Sequence, residues 1–164
     1  MKNQSKNSKI KIRKAGKSDG RAFLGLINEL ADFEKLDPPD KKAQKRILKD
    51  AFSEKPLINV LLAFDHSSGG RSGKRAIGYA IYFYTYSSFL AKPTLYLEDV
   101  YISEDYRSNG VGRMFFAELN KAAKKKKCGR MEWAVLDWNV NAIKFYDKLG
   151  AKPLTEWIYY RKVL

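Results

Sequence analysis

Ile10 and Ile12 alternate with basic residues, the two-residue period of a short first strand. Ser18 is then placed to cap a helix. Phe23, Leu26, Ile27 and Leu30 follow at i, i+3, i+4 and i+7, one apolar face of a helix running to about Glu34, where Pro38-Pro39 stops it. A more polar helix is predicted over 40–52. Beyond Pro56, residues 58–64 form an apolar run too short for a helix and read as a strand. Residues 65–75 carry turn-forming types and join that strand to 76–86 as a long hairpin. The latter is apolar or aromatic on both alternations, Ile77/Tyr79/Ile81/Phe83 and Ala80/Tyr82/Tyr84, which places it centrally with both sheet faces covered. Further elements are a strand over 94–102, a glycine-bearing loop, a helix over 111–127, a strand over 131–136, a helix over 140–149 and a last strand near 157–163. Asn139 is suited to cap the helix that begins at Val140, and Gly150 to close it in the left-handed conformation. The order β-α-α-β-β-β-α-β-α-β is that of an α/β protein, read as one domain over 9–164 behind a disordered basic tail, 1–8.

A chain of 164 residues with 45% hydrophobic content is long enough to bury roughly 70% of its unfolded surface. Its 32 Lys+Arg against 18 Asp+Glu give a net charge of +14, which suits polyanionic partners. No run approaches the roughly 20 apolar residues of a membrane span, and no apolar segment follows the polar start, so a cytoplasmic protein is expected. One cysteine, Cys128, and one histidine, His66, exclude internal disulfides, His/Cys metal clusters and Ser-His-Asp hydrolysis, and no metal is expected. Cys128 itself reads as an inert residue at a helix-strand junction, which disfavours an acyl-cysteine route.

Two stretches carry chemistry. Arg107-Ser108-Asn109-Gly110-Val111-Gly112 lies between a predicted strand and a predicted helix, where free N–H groups and the helix dipole favour an anion. Arg107 and Arg113 flank it and suit a pyrophosphate. No Lys-Ser/Thr follows the last glycine, so it is not a Walker loop. The second stretch is the adjacent pair Glu98-Asp99 inside an otherwise apolar strand, where charge is disfavoured unless paired or functional. On a regular strand the two side chains face opposite sides, and a local bulge would re-aim one of them.

The segment from Arg107 to Gly112 resembles the Arg/Gln-x-x-Gly-x-Gly/Ala signature of the GNAT acyltransferases. Tyr84-Thr85-Tyr86, Leu95-Tyr96-Leu97-Glu98-Asp99, Asp105-Tyr106-Arg107, Trp138-Asn139 and the stretch from Asn141 to Tyr146 extend that resemblance to the diamine (spermidine/spermine) and thialysine acetyltransferase branch. The resemblance implies a mixed, mostly antiparallel sheet splayed at a cleft and flanked by helices, with acetyl-CoA as co-substrate and commonly a homodimer. It implies that Val100, Tyr101 and Ile102 pair with the pantetheine arm and that the amides of Ser108, Asn109, Gly110, Val111, Gly112 and Arg113 take the phosphates beside Arg107. Asn139 and Asn141 would meet the pantetheine amides.

The acceptor would be a primary amine of a small diamine, polyamine or lysine-like molecule, attacking the thioester directly in a ternary complex. An amine of pKa near 10 must first lose a proton, so the site needs an acceptor, assigned to Glu98 through water; Glu98 also binds ammonium. Asp99, Glu34, Glu132 and the aromatic Phe33 are further substrate-site candidates. The backbone N–H of Val100 would serve the oxyanion, and Tyr146, in the motif Asn-x-x-x-Phe-Tyr, would protonate the departing thiolate. Where the resembling enzymes tend to carry a tryptophan after Thr-Tyr, this chain reads Ser87-Ser88-Phe89, which implies an altered substrate wall. The alternatives are a protein or peptide amine as acceptor, and a non-catalytic protein of the same fold binding nucleic acid through Lys41, Lys42, Lys45, Arg46 and the lysines 124–127.

Overall fold

The computed structural model describes residues 9–67 and 74–164. The expected tail, 1–8, and the middle of the hairpin connection, 68–73, lie outside the described residues. The chain divides into two compact units, Met1–Trp133 and Ala134–Leu164.

The first unit is built on a five-stranded sheet in the order β1-β2-β3-β4-β5, with β1 Ile10–Lys14, β2 Asn59–Asp65, β3 Arg75–Ser87, β4 Lys92–Ile102 and β5 Arg130–Trp133. The first four strands pair antiparallel and β5 joins β4 in parallel. β3 is central, as its two-sided apolar pattern predicts, and its residues from Ile77 to Tyr82 are all buried. Helix α1, Gly20–Glu34, and helix α2, Lys41–Phe52, are followed later in the chain by helix α3, Val111–Lys125. Phe23 and Leu26 of α1 and Ala51 of α2 meet Val60, Leu62, Tyr79, Ile81 and Tyr101 in one core cluster. Phe115 and Leu119 of α3 are fully buried. Each such large side chain contributes about 1.5–3 kcal/mol by leaving water.

Ser18 does not cap α1. It lies in a 3-10 turn over Lys17–Asp19, and the helix starts one residue after Asp19. The Asp19 carboxylate receives the Gly16 N–H at 2.8 Å and both guanidinium arms of Arg13 at 2.7 and 2.8 Å, and these bonds fix the turn before the helix can begin. Asp40, by contrast, caps α2 through Ala43 N–H.

Gly78 on β3 is a point of close approach. A Cβ there would lie 2.6 Å from the Tyr101 carbonyl oxygen and 3.3 Å from Phe115. Neither backbone nor buried ring gives way easily, so Gly78→Ala is expected to cost about 2 kcal/mol or more. A urea midpoint unchanged from wild type would show that β3 and β4 separate there without strain.

In the second unit, helix α4 spans Val140–Lys148, with Asn139 Oδ1 accepting Ala142 N–H at 3.2 Å and Gly150 left-handed at φ 81°. Both ends are as the sequence predicts. The last predicted strand is absent: residues 157–163 form no strand. Strand propensity there is strong, but a strand needs a ladder partner for its N–H and C=O groups, and among the described residues none pairs with this segment. Trp157, Ile158, Tyr159, Tyr160 and Val163 are exposed. The predicted strand 131–136 is likewise shorter and stops at Trp133.

Candidate active site

The site begins with an irregularity. Along β3 and β4, Ile81 pairs with Asp99, but Tyr82 pairs with Leu97, so Glu98 is an extra residue without an opposite number. This is a β-bulge, which bends its strand and re-aims the side chains beside it. Two consequences follow in the same place. The parallel ladder to β5 ends at the pair Leu97–Trp133, and from Asp99 to Ile102 the ladder of β4 is with β3 alone. Glu98 and Asp99, which a regular strand would send to opposite faces, both line one pocket of about 410 Å³. That volume falls within the roughly 300–1,000 Å³ of small-molecule sites.

The sheet side of the pocket is Ile81, Phe83, Glu98 and Asp99, with Ile58 at its edge. The other side is α2, which contributes Ala43, Arg46, Ile47 and Asp50, residues at i, i+3, i+4 and i+7 on one helical face. Three carboxylates and one guanidinium therefore meet an apolar floor. The pocket is thus locally acidic on a chain whose net charge is +14, which suits a cationic ligand there.

Asp99 is the perturbed group of the pocket. Burial, then the charges of Glu98 and Glu34, push its pKa up to about 6, while a bond from the Tyr79 hydroxyl to Oδ2 at 3.4 Å pulls it down. Tyr79 is itself fully buried in the core cluster, and burial and Asp99 raise its own pKa strongly. It couples the carboxylate to the packed sheet. Glu98 is exposed at the bulge. Glu34, at the last turn of α1, has its pKa raised by burial.

At the end of β4 a 3-10 turn, Glu104–Tyr106, leads into the loop. Ser108 at φ 60° and Gly110 at φ 80° are left-handed, and Gly110 precedes α3 without any side-chain cap. The first-turn amides of Val111, Gly112 and Arg113 thus keep no intrahelical acceptor, while Met114 N–H already bonds Gly110 O. Asn109 Nδ2 bonds Arg107 O at 3.0 Å and holds the turn. These features fit a phosphate group: donors converging at a helix N-terminus, left-handed backbone that exposes them, and an exposed Arg113 beside them.

Several predicted residues lie apart from the pocket lining. The Arg107 Nε–H bonds Ile102 O at 2.9 Å, and its guanidinium lies 4.7 Å from the Phe33 ring and 5.5 Å from that of Tyr101. Phe33 is thus a platform for Arg107. Glu132 is ion-paired to Arg130 at 2.9 Å on β5. Phe89 is fully exposed in the β3–β4 turn, and the aromatic wall is Phe83 instead. Asp50, Phe83 and Tyr79 are not singled out by the sequence as site residues, and Arg46 is named there only as a nucleic-acid contact. Lys41, Lys42, Lys45 and Arg46 are exposed on α2, as are the lysines 124–127 at the C-terminal end of α3.

In the second unit, Asn139 uses its Oδ1 in the cap, Asn141 is exposed, and Tyr146 is half-buried on α4 with its ring centroid 5.6 Å from that of Phe145. Burial pushes the Tyr146 phenol up to about 12.

The Acetyltransferase (GNAT) family model matches residues 26–151. The chain belongs to the GNAT acetyltransferase family. Among its GNAT relatives, the mouse (Mus musculus) thialysine N-epsilon-acetyltransferase is 36% identical over 155 residues, covering 92% of this chain and 91% of that protein. Human spermidine/spermine N(1)-acetyltransferase-like protein 1 is 33% identical over 93% of this chain and 22% of its own length. The solved structure of an integron cassette protein from V. cholerae superposes with a TM-score of 0.78 at 24% identity, over 94% of this chain and 93% of that one, which supports the α/β GNAT fold. The chain is therefore a GNAT N-acetyltransferase, and membership implies use of acetyl-CoA, which the loop geometry fits. Among the described residues, no helix is long and apolar enough to cross a membrane.

Proposed function

We propose that the protein transfers the acetyl group of acetyl-CoA to a primary amine of a small diamine, polyamine or lysine-like molecule, by direct attack in a ternary complex. The observation that carries this reading is the bulge that brings Glu98 and Asp99 onto one pocket. The thialysine-acetylating relative from mouse supports the acceptor class. Glu98, exposed beside the pocket, accepts the amine proton through water, and Asp99 is the second member of the pair, with Glu34 adding negative potential behind it. Asp99, held at about 6, is better matched than an ordinary carboxyl to sharing that proton at neutral pH, so the rate is expected to follow its ionisation.

Acetyl-CoA, when bound, supplies the activated thioester. The amides from Ser108 to Arg113 hold its pyrophosphate, with Arg107 fixing the loop to the end of β4. Val100 and Ile102 offer backbone groups to the pantetheine along the part of β4 that β5 leaves unpaired, with Tyr101 between them turned to β3, and Val100 N–H donates to the carbonyl oxygen as charge develops on it. Asn139 and Asn141 contribute side-chain amides, and Tyr146 donates to the departing sulfur. Phe33 acts through Arg107, and Glu132 remains a weaker ammonium site because Arg130 already neutralises it. The family model runs without a break across both units, which supports one catalytic domain over 9–164. A cytoplasmic homodimer completes the proposal.

Acetyl-CoA-dependent thiol release tests it, with spermidine, spermine, putrescine, thialysine, lysine and a basic peptide as acceptors. Turnover with at least one small amine is expected. Turnover of the peptide alone would replace the acceptor class, and salt-sensitive nucleic-acid binding without any turnover would replace the activity.

A further inference from the structure

Among the described residues, one cation lines the pocket, on the helix that faces the carboxylate pair. Arg46 and Asp50 stand at i and i+4 on the face of α2 that closes the pocket, so their Cβ atoms are about 5–6 Å apart. Among the described residues neither side chain takes part in an ion pair or side-chain hydrogen bond. A site shaped only for polycations gains nothing from a guanidinium in its wall, since each amine of the ligand would be repelled by it. One class of ligand uses all four groups: an α-amino acid with a second, distal amine. Its carboxylate and α-ammonium are attached to one carbon, as Arg46 and Asp50 are neighbours on one helix face.

We propose that Arg46 is a specificity-determining residue that binds the α-carboxylate of a diamino acid acceptor, with Asp50 on the α-ammonium, leaving the distal amine for Glu98 and Asp99. The guanidinium can grip a carboxylate with two parallel N–H bonds, which fixes the direction of the ligand as well as its charge. Polyamines, lacking that carboxylate, meet a repelling charge in the same place. This specificity rests on the acetyl-transfer reading of the pocket but is readable apart from it.

Matched pairs isolate the carboxylate: L-lysine against cadaverine, and L-ornithine against putrescine, each differing only in that group. Binding to the whole protein is measured by calorimetry and turnover by thiol release, for wild type, Arg46→Gln and Arg46→Lys. Wild type is expected to bind lysine about tenfold more tightly than cadaverine. Arg46→Gln is expected to abolish that preference through KM, weakening lysine and strengthening cadaverine. Arg46→Lys, which keeps charge but loses the fork, restores part of it. Equal affinity for lysine and cadaverine in wild type, no binding of either, or a parallel loss of both in Arg46→Gln overturns the inference. An Arg46-dependent preference for lysine without turnover supports it while removing the proposed reaction.

Discussion

Asp99→Asn is expected to lower amine acetylation about a hundredfold at pH 7.5 and to make the protein more stable at the same pH. Both effects have one origin. The folded protein holds the Asp99 carboxyl at about 6 because burial and the charges of Glu98 and Glu34 oppose its ionisation. A pKa raised above its unfolded value stabilises the fold while the group is protonated. That contribution is complete below about pH 4 and is lost as the pH rises through about 6. At neutral pH the ionised group is therefore a burden on the fold of about 1–3 kcal/mol. Asparagine keeps the volume and still accepts the Tyr79 hydroxyl bond, but carries no charge to desolvate. Thermal unfolding should show the variant gaining several degrees at pH 7.5 and little at pH 4. The activity profile gives the second reading. Wild-type kcat/KM should fall about tenfold per pH unit below about 6, and the inflection should be missing in the variant. A variant that keeps both its rate and that inflection would place Asp99 outside the proton path.

That the acidic pair at this place matters was legible in the sequence, because two acids in an apolar strand call for an explanation. Which way they point was not. The bulge depends on how β3 and β4 settle their register between Ile81 and Tyr82, a pairing decision that neither strand encodes alone. The helices show the same limit. The apolar stripe of α1 announces its buried face, whereas α2 has so few apolar residues that lysines and Arg46 look alike, as solvated charges or phosphate contacts. Only the packing of Ile47 and Leu48 onto the core fixes the rotation of that helix, and with it the turn of Arg46 and Asp50 onto the pocket. Phe33 illustrates a third reason: an aromatic at a helix end gives no hint that its partner is a guanidinium more than 70 residues away. The segment 157–163 fails in the opposite direction. Its composition is that of a strand, but propensity becomes structure only where a ladder forms, and among the described residues no strand pairs with it.

Tyr146→Phe is expected to lower kcat about a hundredfold with KM for the amine little changed, since the substitution removes one hydroxyl and keeps the ring that packs beside Phe145. The size of the effect follows from the pKa values. The phenol, pushed up to about 12 by burial, is fully protonated across the working range, so it never limits the rate by ionising. It is also a weak acid beside a thiol of pKa about 8.5, and complete transfer of its proton to a free thiolate would be uphill by about 5 kcal/mol. The hydroxyl therefore works best as a hydrogen bond that strengthens while the C–S bond breaks, and the proton follows only as the sulfur leaves. This argues for an effect near the lower end of what general acids contribute, and for a flat alkaline profile up to about pH 9 in wild type. An alkaline limb near pH 8 that disappears in Tyr146→Phe would show a phenol far more acidic than its burial allows. Equal rates in the two proteins, with folding intact by circular dichroism, would remove Tyr146 from the reaction.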